Sequence, residues 1–448
     1  MKNKQIENVW VLINKLRGAF EITDFSKIIL YGILLKYVEN ECSDCSFYDE
    51  KYSLGYLSLT YGKMVSNQDV LNYLRKIEDE FGLDLGVLSE TIDLVLYKAD
   101  EENVRIIFEK LNCIQLSKED YYNLAQMVVY RMGTSAGKTS GAFSTNRTLA
   151  RLETALLDVQ EGMTVYDAFC GTGISANEVA AGKGKVYIQD INVGTIGIAA
   201  IMTILSNNAI GAIKCADTFY KPIELGAKYD RVVCEPPLGC LYNKDYIVNI
   251  PDESLVYGNS SDSRYLALRH TLASVKEDGI AAVLVPMGVL FSSRTTGDIR
   301  QRLVDDNYIE AIIEFPAGIM MPYSNVATAL ILLKKNKTDN KIIMINAKDF
   351  FEKKLKTLII SDDNIRRLVE IYYAREVIEG VSNTIALEEI IEKGYNLCTT
   401  QYVTLKAEAG IVIEDNAKYI ETYDKLLQRL STIDKELNMI RSRFVKEV

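Results

Sequence analysis

The sequence predicts an α/β fold on a largely parallel, doubly wound sheet, with a helical region before it and a helical arm after it. Three observations predict this. From Met163 onward, short β-like runs alternate with helical stretches, as in a parallel sheet with crossover helices. Before residue 125, apolar residues recur at three- and four-residue steps. Near the end, Ile420, Tyr423, Leu427, Leu430, Ile433, Leu437, Ile440 and Phe444 form a near-heptad seam on an otherwise charged helix.

The helical region rests on "VWVLINKLRGAF", "FSKIILYGILLKYVEN" and "VLNYLRKI". The strands are "TVYDAF", "KVYIQDI", "AIKCAD", "YDRVVCEPP", "IAAVLVPM", "YIEAIIEFP" and "TALILLKK". They lead us to expect a seven-stranded sheet with one reversed edge strand. Four divisions follow: a helical domain over 1–125, the sheet domain over 126–340, a mixed extension over 341–412 and a helix over 413–448. That last helix either packs on its own domain or buries its stripe against another chain.

Bulk properties exclude several classes. A formal charge of −10 argues against a uniformly basic nucleic-acid clamp, but leaves room for a local basic cleft or a site completed by a partner. No run approaches the ~20 apolar residues of a membrane span. The opening MKNKQIENVWV turns polar too early for a signal peptide, so a cytoplasmic protein is expected. His270 is the only histidine and lies in a helical stretch without a nucleophile elbow, which disfavours a Ser-His-Asp hydrolase. The lone Cys42-x-x-Cys45 pair points to reduced thiols rather than zinc. "GTSAGKTS", residues 133–140, is one residue too short for a phosphate loop, and no apolar strand leads into it. The lysines of "KKNKTDNKIIMINAKDFFEKKLK" either touch phosphate or form a solvated face, the commoner case.

The strongest local signal is "VYDAFCGTGISANEVA", residues 165–180. A strand ends at Asp167, and a turn with Gly171 and Gly173 leads into a helix. Glycines there permit positive φ and close approach of backbone to a ligand. The next strand ends at Asp190, placed to accept from both hydroxyls of a ribose or, equally, to cap the following helix. A third ends near Asp217, within reach of an adenine amino group. Three successive strand-end acids suggest a ligand with an amino acid, a ribose and an adenine, which describes S-adenosyl-L-methionine. The fourth strand runs into Glu235-Pro236-Pro237-Leu238, where an amino-methyltransferase carries Asn or Asp, two prolines and an aromatic. A short side-chain oxygen and a proline carbonyl accept from the amine and make its nitrogen more nucleophilic. The aromatic stacks on the base, worth roughly 1–3 kcal/mol.

The chain resembles the modification (M) subunits of type I restriction–modification systems, N6-adenine DNA methyltransferases of the class I, Rossmann-like fold. The likeness runs through "INKLRGAFEITDFSKIILYGILLKYVEN", "GAFSTNRTLARLETALL", "QDINVGTIGIAAIMTILSN", the region after the catalytic motif, and "LEEIIEKGYNLCTTQYV". It implies that Phe143, Thr145, Asp167, Phe169, Gly171, Gly173, Asp190, Ile191 and Asp217 surround S-adenosyl-L-methionine. Asn146 replaces a usual proline in the capping segment. It also implies DNA as substrate, a specificity (S)-like subunit met by helix 413–448, and a second M subunit or catalytic paralogue as a further partner. No metal is required, because the sulfonium already makes the methyl electrophilic.

The departure from the family lies at the catalytic positions. Glu235 replaces Asn or Asp with one methylene more, and a misplacement of ~1 Å can cost on the order of 100-fold. An ionised Glu235 near the sulfonium could bind the cofactor instead of the base. Leu238 offers apolar contact without a π face. Two readings therefore stand beside an active DNA methyltransferase: a non-catalytic scaffold or DNA-binding subunit, and a methyltransferase acting on RNA or protein.

Overall fold

The computed structural model describes residues 22–136, 147–237, 239–243, 260–292, 296–321, 324–354 and 357–404. Phe143, Thr145, Leu238, residues 137–140 of the 133–140 stretch and the heptad seam lie outside them.

The helical region comprises α1 (Ile22–Glu41), α2 (Leu54–Thr60), α3 (Asn67–Glu80), α4 (Ser89–Lys98), α5 (Glu101–Asn112) and α6 (Lys118–Ala136). Residues 28–38 of α1 are buried on every side, which makes α1 the central helix of the group. The next helices are α7 (Arg147–Leu157), α8 (Ile174–Ala180), α9 (Val193–Leu205) and α10 (Ser263–Ser274). They are followed by α11 (Gly288–Phe291), α12 (Gly297–Asp305), α13 (Asp362–Ala374) and α14 (Leu387–Glu392). None of the described helices is long and apolar enough to cross a membrane.

All seven expected strands form: β1 (Thr164–Asp167), β2 (Lys185–Asp190), β3 (Ala209–Cys215), β4 (Tyr229–Cys234), β5 (Val275–Pro286), β6 (Ile309–Glu314) and β7 (Thr328–Leu333). The extension adds β8 (Lys341–Asn346), a small β9–β10 hairpin (Phe351–Lys354, Thr357–Ile360) and β11 (Ser382–Ala386). The main sheet has nine strands, ordered β11-β8-β6-β7-β5-β4-β1-β2-β3, and not seven. The reversed strand is also not at the edge. β7 runs antiparallel between β5 and β6, and a second reversed strand, β11, forms the edge beside β8. The reason is legible in "TALILL". Every one of its residues is buried, a pattern suited to a strand covered on both faces and costly at an open edge.

Alternation along the strands divides the core between the two sheet faces. In β4, Val233 joins the core shared with the N-terminal helices, while Val232 and Cys234 join the one under α10 and α12. The key connector is α9, buried from Thr195 to Leu205 and packed between the sheet and α1, α4 and α6. Thr91 of α4 donates to Val193 O at 2.7 Å. At Gly197 a Cβ would lie 2.6 Å from Val87 O, so only glycine allows this approach. The helical region is thereby fastened just beyond the tip of β2.

That region has its own internal anchor. The N-cap of α4, Leu88, has no capping side chain. Instead, the buried carboxylate of Glu78 in α3 accepts from Gly86 N (2.9 Å), Leu88 N (2.7 Å) and Ser89 N (2.7 Å). Glu78→Ala would leave these donors unpaired, and we expect it to cost about 3 kcal/mol or more of unfolding free energy. Glu78→Gln keeps an acceptor oxygen and should lose less. Equilibrium urea unfolding measures both, and equal stability of the alanine variant would refute the anchoring role.

The lysine run is corrected in part. Lys337 is not on a solvated face: it donates to Ile309 O (2.7 Å), Lys341 O (2.8 Å) and Asn307 Oδ1 (2.9 Å), and burial lowers its pKa to about 8. Lys335 is likewise buried, 3.5 Å from Glu277. Both tie strand ends together, so neither is presented to phosphate.

Candidate functional site

The tips of β1, β2, β3 and β4 open into one cavity of about 580 Å³. This is within the usual range for small-molecule sites. Of the residues singled out in the sequence, Asp167, Phe169, Gly171, Asp190, Ile191, Asp217, Glu235, Pro236 and Pro237 line it. Gly173 does not line it. It adopts φ +76° as the N-cap of α8, and a Cβ there would sit 3.0 Å from Ala199 Cβ in α9. Its role is to let the turn close against α9, while Gly171, at φ +52°, faces the cavity.

The acids are held by main-chain donors. Asp190 Oδ2 accepts from Gly171 N (2.9 Å), and its Oδ1 accepts from Asn192 N (2.8 Å) with Thr195 Oγ1 at 3.3 Å. One carboxylate thus fixes the glycine turn and the start of α9 together. The N-cap side chain of α9 is Asn192, which accepts from Gly194 N at 2.8 Å. Asp217 Oδ1 accepts from Phe219 N at 2.9 Å, and burial raises its pKa. Asp167 is buried and accepts from Phe169 N at 3.0 Å; burial, and then the neighbouring Glu235 and Asp190, hold its pKa well above the carboxylate range.

The fourth strand's end is also anchored. Pro237 O accepts from Ser263 Oγ (2.6 Å) at the start of α10, and Cys240 N donates back to Ser263 Oγ (3.1 Å). Glu235 Oε1 accepts from Ser175 Oγ at 2.7 Å, which draws the longer side chain toward α8.

Three cavity-region residues escaped the sequence reading. Tyr242 lines the cavity four positions after Leu238 and packs edge-on against Phe219, centroids 4.8 Å apart. It supplies an aromatic wall to the cavity. Ser175 gave no signal by itself. Glu153 did have one: it occupies the apolar stripe Leu149, Leu152, Leu156 of α7, where an acid is out of place. Glu153 is fully buried, and neither carboxylate oxygen has a hydrogen-bond partner among the described residues. Burial, then Glu235 and Asp167, raise its pKa well above the usual value.

Other groups take no part. His270 is buried with Nε2 3.0 Å from the Tyr166 hydroxyl, and burial lowers its pKa to about 4. Among the described residues, no cluster of His, Cys, Asp or Glu has metal-binding geometry.

Residues 123–410 match the family described as N-6 DNA Methylase. The chain belongs to this family. Among relatives of the N-6 DNA methylase chain is the type I restriction enzyme MjaIX methylase subunit of Methanocaldococcus jannaschii. It is 23% identical over 497 aligned positions, covering 94% of this chain and 88% of that one. The MpnII methylase subunit of Mycoplasma pneumoniae is 22% identical, covering 91% and 90% respectively. In three dimensions the chain is similar to a type I restriction–modification methyltransferase subunit from Streptococcus thermophilus. There the TM-score is 0.71 with 20% identity, over 91% of this chain and all of that one. A modification subunit from Vibrio vulnificus gives a TM-score of 0.64 at 16% identity, over 87% and 92%. The likeness carries the fold: an α/β class I methyltransferase with helices on both sheet faces.

Proposed function

We propose that this N-6 DNA methylase chain binds S-adenosyl-L-methionine and serves as the methyltransferase subunit of a type I-like restriction–modification complex acting on adenine N6 in DNA. One observation carries the reading: four consecutive strand tips converge on a single cavity that ends at Glu235-Pro236-Pro237. The cavity fits such a donor, with a glycine turn at Gly171, acids at Asp190 and Asp217 and the apolar side chains of Phe169 and Ile191. Asp190 takes the ribose hydroxyls and Asp217 the adenine amino group. Phe143 and Thr145, in the segment that precedes α7 in the sequence, also contribute to donor binding in this reading. When bound, the donor supplies an electrophilic methyl. At the acceptor side, Glu235 and the Pro236 carbonyl accept from the amine and orient its lone pair, with Leu238 and Tyr242 against the base. A base drawn from duplex DNA must first be flipped out.

The 1–125 and 413–448 divisions serve assembly in this reading. The heptad helix meets a specificity (S)-like subunit, which chooses the DNA sequence, and a second M subunit or catalytic paralogue completes the complex. A non-catalytic scaffold role draws support from Glu235, whose Oε1 is already engaged by Ser175. A labelled-methyl assay on DNA with the S-like partner separates the two. Activity requires incorporation that drops at least about 100-fold in Glu235→Ala. No incorporation by the wild type favours the scaffold, and incorporation unchanged in the variant would mean that Glu235 is not the acceptor-side group.

A further inference from the structure

Three carboxyl groups meet at the catalytic end of the cavity. Asp167 and Glu235 line it, and Glu153 stands behind them, fully buried. Ser175 connects them: its hydroxyl donates to Glu235 Oε1 at 2.7 Å and lies beside Glu153. Asp167 has a main-chain donor in Phe169 N, whereas Glu153 has none. Nor is Glu153 balanced by a cation on the elements packed around it. Arg151, on its own helix, is paired with Asp362 of α13. Tyr373 of α13 reaches the Leu156 carbonyl, and the Leu358 carbonyl of β10 accepts from Thr148. From β5, Ala282 and Leu284 join this core, while Lys276 and Glu277 pair with Asp230 and Lys335. Arg231 of β4 is taken up by the Leu157 and Asp158 carbonyls, Glu178 of α8 accepts from Gln126, Arg147 at the start of α7 is exposed, and Cys234 is a buried thiol at the end of β4. A carboxylate in such a place, without donor or counter-ion, is strongly disfavoured until a positive charge arrives.

We propose that Glu153 is a charge-selecting residue: it makes the cavity prefer the positively charged sulfonium donor to the neutral thioether that remains after methyl transfer, by releasing a proton when the donor binds. This rests on the reading that the cavity takes S-adenosyl-L-methionine. The donor carries one positive charge more than S-adenosylhomocysteine at neutral pH. Its arrival beside Asp167 and Glu235 lowers the cost of ionising Glu153, and the neutral product does not. The proton has a path. Ser175, beside Glu153, donates to Glu235, and Glu235 opens onto the cavity, so the hydroxyl can relay the proton outward. Burial and the two neighbouring acids favour the protonated form of Glu153. Donor affinity therefore rises as pH rises, up to the ligand-free pKa, while product affinity stays nearly flat.

The test is titration calorimetry of the full-length chain with S-adenosyl-L-methionine and with S-adenosylhomocysteine, in buffers of different ionisation enthalpy, across neutral pH. For the wild type we expect release of close to one proton per donor bound, with donor affinity climbing by up to about tenfold per pH unit. In Glu153→Gln, which has the shape of the protonated acid, the release should vanish and the donor-to-product preference should shrink by about tenfold. The wild-type experiment alone can overturn the proposal, so it does not depend on the variant folding. Donor binding without proton exchange, or exchange preserved in Glu153→Gln, defeats it and leaves the cofactor reading standing. Absence of binding by either ligand defeats both.

Discussion

Asp190→Ala should weaken S-adenosyl-L-methionine binding by about 100-fold or more, since two charge-assisted hydrogen bonds to ribose hydroxyls are worth ~1.5 kcal/mol each at the low end. The effect has a second source in the free protein. The carboxylate holds Gly171 N and Asn192 N, so its removal frees the glycine turn and the first turn of α9 at once. Asp190→Asn keeps the shape but has one acceptor oxygen instead of two. It should fall between the wild type and the alanine variant. Calorimetry reports the affinity, and amide exchange at Gly171 reports the turn. An alanine variant that binds like the wild type would place the ribose elsewhere and remove the basis for reading the strand tips as one site.

The second large effect is on stability. Glu153→Leu should raise the melting temperature at pH 8 and change it little at pH 5. Glu153 has a folded-state pKa well above the ordinary 4.5, chiefly through burial. The unfolded chain gives up this proton as pH passes about 4.5, while the folded chain keeps it. Folding therefore binds a proton, and stability falls as pH rises from the unfolded value towards the folded one. Leucine removes this linkage and fits the stripe of Leu149, Leu152 and Leu156, a gain on the order of 2 kcal/mol at pH 8. Asp167, raised by the same cause, will leave part of the pH dependence in place. Acid lability below pH 4 has a different origin. Asp230 is held at about pH 2 by hydrogen bonds from Lys276 and Thr164 that outweigh its burial, so its contribution is lost only as pH falls towards that value. Differential scanning calorimetry at pH 5 and pH 8 checks the prediction. A leucine variant that melts lower than the wild type at pH 8 would show that Glu153 is stabilised by contacts it does not display.

A stabilising replacement at a buried position is a common mark of a residue kept for function. The Glu153→Leu experiment tests whether Glu153 is such a residue, because its position calls for an aliphatic side chain. Ser175 is the hydroxyl between the two glutamates. It draws Glu235 back toward α8, so the extra methylene does not simply push the carboxylate further into the cavity.

The sequence by itself determined seven of the strands and the helical character of the described residues before them, because period-2 and period-3.6 patterns are local and survive reading one segment at a time. All seven runs from "TVYDAF" to "TALILLKK" became strands, and the acids at their ends met in one cavity, since parallel strands bring their C-terminal tips to the same side. Only the tertiary structure decided which strands are neighbours, and thus that the sheet has nine and that β7 is interior. Pairing joins residues far apart in the chain, and no local period records it. The same holds for the buried acids. That Glu153 of α7 lies beside Ser175 of α8, which is hydrogen-bonded to Glu235 just after β4, follows from how three elements pack, and a side chain's electrostatic surroundings exist only once the packing has removed the water.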